Sequence, residues 1–109
     1  MKLETVNAGD MTPLNNAEAD LAIAGLLAEA MAGDVNALFN LGVAYSTGSN
    51  SITVDLIEAH KWFNIAASRG HEEAGWCRAD VSDEMTAREI AEAQRRARHW
   101  LAEERRAAA

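Results

Sequence analysis

The pattern Gly33, Ala37, Phe39 returns as Gly70, Ala74, Trp76, each member 37 positions later. A second echo carries Ala59 and Trp62 to Ala97 and Trp100, 38 positions on. A period of this length is that of one helix-turn-helix unit, which buries its apolar face only by stacking on neighbouring units. The chain is therefore read as a short array of helix pairs, an architecture that presents surfaces for binding.

Length and residue choice support this reading. The 109 residues suffice for one domain able to bury roughly two thirds of its unfolded surface. The chain is rich in Ala and holds a single proline, Pro13, so an all-α fold of about five helices is expected. Residues 1–14 show no periodicity and read as a flexible arm. Asn15 with Glu18 forms a capping-box-like pair, and Leu21, Ala24, Leu27 and Ala28 supply an apolar stripe that Gly33 closes. Asp34 caps a second helix carrying Ala37, Leu38, Leu41, Gly42 and Tyr45 as far as Gly48.

A polar loop then leads to Asp55 and Glu58, which open a third helix with Ala59, Trp62, Phe63, Ala66 and Ala67 on its apolar face. Its two large rings alternate with small residues, the combination that packs closely against a neighbour bearing Gly42. Gly70 ends it, His71 to about Glu84 forms a fourth helix, and Thr86 with Glu89 begins a fifth. That fifth helix sets Ile90, Ala93, Ala97, Trp100 and Leu101 on one side and should dock, while residues 103–109 are expected to fray. The helical domain thus spans 15–102, with a full repeat at about 34–70 and degenerate flanking helices as caps.

The run Ala37-x-Phe39-x-Leu41-Gly42-x-x-Tyr45-x-x-Gly48, followed by Asp55-x-x-x-Ala59-x-x-Trp62-Phe63-x-x-Ala66-Ala67-x-x-Gly70-x-x-x-Ala74, resembles the Sel-one-like repeat, a relative of the tetratricopeptide repeat. The resemblance implies antiparallel helix pairs stacked into a short right-handed α-solenoid that mediates protein-protein contacts, often in bacterial proteins. It is strong over Asp34 to Ala74 and weaker elsewhere. Arg78 and Ala79 stand where the full repeat has Leu41 and Gly42, and Gly25 stands where it has Trp62, so both flanks read as terminal caps.

No chemistry of catalysis is legible. His60, His71 and His99 lack the i, i+4 spacing of a helix-borne metal site, and Cys77 is the lone cysteine, so neither a metal site nor an internal disulfide is expected. No nucleophile elbow or phosphate-cradling glycine loop occurs, and no cofactor is expected. No stretch approaches the roughly 20 apolar residues of a membrane span, and no leader is visible, so the expected setting is the cytoplasm.

The formal charge is −7, which argues against a general polyanion binder. It is uneven: residues 1–85 hold thirteen acidic and four basic side chains, a balance of −9, whereas residues 86–109 hold six Arg and four Glu, a balance of +2. A competing reading is therefore a nucleic-acid-associated or enzyme-regulatory subunit acting through Arg95, Arg96 and Arg98 of the fifth helix. Intervening Glu92 and Glu103 weigh against nucleic acid. With one good repeat between two degenerate ones, self-association into a homo-oligomer is a further expectation.

The candidate recognition surface follows from helical geometry. Asn36, Asn40, Val43 and Thr47 lie opposite the Ala37, Leu41, Tyr45 stripe, with Phe39 at the flank. One repeat later the same positions hold Glu73, Cys77, Asp80 and Glu84, with Trp76 at the flank. In the tetratricopeptide arrangement the first helix of each pair lines the concave face, which implies a short groove of amides, carboxylates and two rings. Such a groove suits a basic or amide-rich peptide. Phe39 and Trp76 either anchor that partner or fill the seam between repeats.

Overall fold

A computed structural model of the chain describes the backbone of residues 8–108 and the side chains of residues 17–108. Five α-helices follow one another: α1 (Ala8–Met31), α2 (Val35–Thr47), α3 (Leu56–Ser68), α4 (Glu72–Ser82) and α5 (Ala87–Ala108). A short 3₁₀ turn, Ser49–Ser51, follows α2. Among the described residues there is no strand.

Local chemistry accounts for most of the boundaries. The Asp34 carboxylate accepts from the Asn36 amide at 2.9 Å, and that of Asp55 accepts from the Glu58 amide at 3.1 Å. His71 caps α4 by accepting the Ala74 amide on Nδ1 at 3.1 Å. Before α5 the expected capping box forms in both directions: the Glu89 amide donates to Thr86 Oγ1 at 3.1 Å and the Thr86 amide to Glu89 Oε1 at 2.8 Å. The repeat is also a repeat of backbone geometry. Gly33 and Gly70 adopt φ of 102° and 94°, where an L side chain is strained, and the next residue's amide reaches back over five positions. These closing bonds are Asp34 to Glu29 at 3.0 Å and His71 to Ala66 at 3.1 Å.

α3 is the axis of the molecule, with α2, α4 and α5 packed around it and α1 against α2. The Asp55 amide donates to the Tyr45 carbonyl at 2.9 Å, while Phe63 meets both Gly42 and Phe39 farther along, so α2 and α3 run antiparallel. Ala67 against Gly75 and Asn64 against Arg78 make α3 and α4 antiparallel as well. Glu58 to Arg96 and Arg69 to Glu104 place α5 parallel to α3. Leu38, Leu41, Phe63 and Ile65 form the fully buried centre, and Ala37, Ala59, Ala66, Ala74, Ala93 and Ala97 let the helices approach closely.

Both expected ends need correction. α1 starts at Ala8, not Asn15, so Asn15 lies within the helix and Pro13 is accommodated inside it. Proline there removes a single amide donor, and the Ala, Met and Leu around it favour helix. Residues 1–7 of the expected arm, and Ala109, lie outside the described residues. At the other end α5 continues to Ala108 instead of fraying from 103, because Glu104 pairs with Arg69 at the C-terminal cap of α3 and Glu103 pairs with Arg106 at 3.3 Å. No helix among the described residues is long and apolar enough to cross a membrane.

Candidate functional site

The surface anticipated from sequence divides into a strip and a seam. Asn36, Asn40 and Thr47 are exposed along α2, with Val43 half-buried between them; Glu73 and Asp80 are exposed along α4, and α2 touches α4 directly. Thr47 donates its hydroxyl hydrogen to the Val43 carbonyl at 2.8 Å, so it faces outward as an acceptor only. Among the described residues the Asn36 and Asn40 side chains make no hydrogen bond, and each amide can both donate and accept. Burial pushes the half-buried Cys77 thiol up from its ordinary pKa, and the nearby Glu73 and then Asp80 carboxylates add to this. The α4 side of the strip is therefore electronegative.

Phe39 does not belong to that strip. Its ring lies flat against the His71 imidazole, centroids 4.3 Å apart and planes 12° apart, and tilts against Phe63 at 5.7 Å. It fills the seam between α2 and α4. Trp76, its counterpart one repeat later, is 67% exposed. Because Phe39 turns toward the following helix, the equivalent direction at Trp76 leads off the open side of α4, away from α2.

Arg78 also departs from expectation. It turns inward and donates from Nη1 to Asn64 Oδ1 at 2.6 Å, beside His60, while Ala79 stays exposed. His60 is buried with no partner for Nδ1, and burial, followed by the charge of Arg78, lowers its pKa.

On α5 the arginine run is largely engaged. Arg95 makes two bonds to Glu92, at 2.9 and 2.7 Å, and Arg96 bridges Glu92 at 2.7 Å and Glu58 at 2.8 Å. Hydrogen bonds from Arg95 and Arg96 hold the Glu92 carboxyl down to about 2. Glu58, expected only as part of a cap, also accepts from Trp62 Nε1 at 3.2 Å and Lys61 at 3.3 Å within α3, and its bond from Arg96 ties α3 to α5. By contrast Arg88, Arg98 and Arg105 are exposed and have no ion-pair partner among the described residues.

Two open clefts went unanticipated because each joins elements remote in sequence. One of about 480 Å³ lies between the C-terminal ends of α1 and α5, lined by Met31, Trp100, Glu103, Glu104, Ala107 and Ala108. The other, about 510 Å³, lies where Ala19, Asp20 and Ile23 of α1 face Tyr45 and the loop from Ser51 to Asp55. Among the described residues no group of three or more His, Cys, Asp or Glu side chains is arranged to hold a metal ion.

Residues 35–71, comprising α2, α3 and the cap of α4, match the family model of the Sel1 repeat. The chain thus carries a Sel1 repeat, a helical repeat of the tetratricopeptide kind whose family generally mediates protein-protein interaction. No curated protein and no solved structure matches the chain.

Proposed function

We propose that this protein is an interaction module, a small adaptor or scaffold that receives an extended segment of a partner protein along the α2–α4 strip. The observation that carries the reading is the exposure of Asn36 and Asn40 on α2 and of Glu73 and Asp80 on α4, two helices that touch. Asparagine amides offer a donor and an acceptor to an extended backbone, and the two carboxylates select for Lys, Arg or amide side chains. The Sel1 repeat supports an interaction role.

The competing reading, a nucleic-acid-associated or enzyme-regulatory subunit using α5, has less behind it. Arg96, in the densest part of its basic run, is held by both Glu92 and Glu58, and the exposed Arg95 shares Glu92 with it.

Affinity capture from source cells with the intact protein beside the Asn40→Ala, Asp80→Ala double variant tests the proposal. Both side chains are exposed, so the melting temperature should hold while partner recovery drops several-fold. Equal recovery by the two proteins removes the strip from consideration.

A further inference from the structure

Trp76 is the most unusual exposed side chain of α4. Its repeat counterpart Phe39 is covered by an imidazole lying flat on the ring and by Phe63, whereas the indole is 67% exposed among the described residues. Glu72, Trp76, Ala79 and Asp83 are all exposed and follow one another at intervals of 4, 3 and 4 residues, which sets them in one line down the outer face of α4. That line is about 16 Å long at the helical rise per residue. Glu73 and Asp80 run beside it, and none of these positions is basic.

The same chain carries a complementary line. Arg88, Ala91, Arg95, Arg98, Ala102 and Arg105 succeed one another on α5 at intervals of 3, 4, 3, 4 and 3, opposite the Ala93, Ala97 and Trp100 side that docks on α3. The four arginines of this line are exposed, Arg95 while paired with Glu92 of its own helix. The stretch from Arg95 to Arg105 extends about 15 Å, nearly the length of the α4 line.

We propose that the acidic, Trp76-centred line of α4 docks the arginine line of α5 from a second copy of this chain. In an antiparallel register Arg105 meets Glu72, Ala102 receives the Trp76 ring, Arg98 lies over Ala79 beside Asp80, and Arg95 meets Asp83. A guanidinium beside the indole gains a cation-π contact, and Ala79 and Ala102 permit close approach of the helices. Two α4 lines facing each other would oppose carboxylates, and two α5 lines would oppose guanidiniums. The contact is therefore heterologous, each copy offering α4 to one neighbour and α5 to another. One helix face makes an interface below the standard size, so the association is weak and salt-sensitive.

Sedimentation velocity on the full chain tests this. In about 0.05 M salt the average mass should rise with protein concentration past that of a monomer, and in about 0.5 M salt it should return to it, as screening of exposed charges requires. Trp76→Ala, Asp83→Arg and the Arg98→Glu, Arg105→Glu pair alter exposed residues and should each give a monomer with an unchanged helical spectrum. Mixing the Asp83→Arg variant with the Arg98→Glu, Arg105→Glu variant should raise the mass to that of a heterodimer, because the unaltered α5 of the first meets the unaltered α4 of the second; all three substitutions in one chain should stay monomeric, because Glu at 105 then faces Glu72 and Arg95 faces Arg at 83. A monomer at every concentration in low salt overturns the proposal. So does an association that survives high salt, or one indifferent to Trp76→Ala and to both charge reversals, and so does failure of the mixed variants to form a heterodimer. None of the substituted residues belongs to the partner-capture strip and sedimentation needs no partner, so the two proposals fail separately.

Discussion

The Phe39 ring and the His71 imidazole lie nearly parallel, 12° apart with centroids separated by 4.3 Å, and the same imidazole accepts the Ala74 amide through Nδ1. One side chain thus seals the seam between α2 and α4 and also caps α4. Loss of a cap costs about 0.5–2 kcal/mol, and loss of a ring pair adds about 0.5–1.5 kcal/mol. His71→Ala should therefore destabilise the fold by about 1–3 kcal/mol in urea unfolding. His71→Asn retains a capping oxygen without the ring and should fall between the two. Equal stability of all three proteins would show that neither contact matters.

Gly42 is where α3 comes closest to α2. A Cβ at this position would lie 2.5 Å from Cδ1 and Cε1 of Phe63, a ring only 1% exposed and with little room to move. Gly42→Ala should destabilise by about 1–3 kcal/mol, the usual range for overpacking, even though alanine is the better helix former. A thermal melt decides the sign, and a rise in melting temperature would mean that the ring repacks freely.

His60 makes the fold acid-sensitive. Burial and then Arg78 lower its folded-state pKa from the ordinary 6.5, so below that pH the unfolded chain takes up a proton that the folded chain refuses. The stabilisation from a neutral His60 is fully present above pH 6.5 and is lost as pH falls toward the folded-state value. Its slope is bounded by about 1.4 kcal/mol per pH unit. His60→Leu fills the site with no titrating group and should flatten this limb. Unfolding curves between pH 7 and pH 5, at about one-unit steps, make the comparison.

Cys77 reports the potential of the proposed strip. Its thiol pKa is raised first by burial and then by Glu73 and Asp80, so alkylation at neutral pH should be slower than for an unperturbed thiol. Neutralising both carboxylates with Glu73→Gln and Asp80→Asn removes their share of the upward shift and should speed labelling, while burial keeps the thiol slower than a free one. An unchanged rate would mean that the strip lacks the negative field on which the selection of basic partners depends.

Much of the helix layout is legible in the chain because caps and stops act over three or four residues. Asp34, Asp55, Thr86 with Glu89, Gly33 and Gly70 each do their work with near neighbours. Where the expectation missed, a distant contact intervened: Glu104 keeps the end of α5 helical by reaching Arg69, a partner 35 positions away. Likewise the second role of Glu58 depends on Arg96, 38 positions on, and no local rule announces it.

The spacing of apolar residues and glycines was enough to specify helices of the right number and kind, and to pick out Asn36, Asn40, Glu73 and Asp80 as outward-facing. Helical geometry sets the direction in which a side chain leaves its own helix. It does not set what stands in that direction. Phe39 and Trp76 occupy the same position of the repeat, yet packing covers the first with His71 and leaves the second in solvent; Arg78, equally polar on paper, is drawn in by Asn64. Whether a neighbouring helix is present to bury a given face depends on contacts between segments far apart in the chain, and those only the folded molecule brings together.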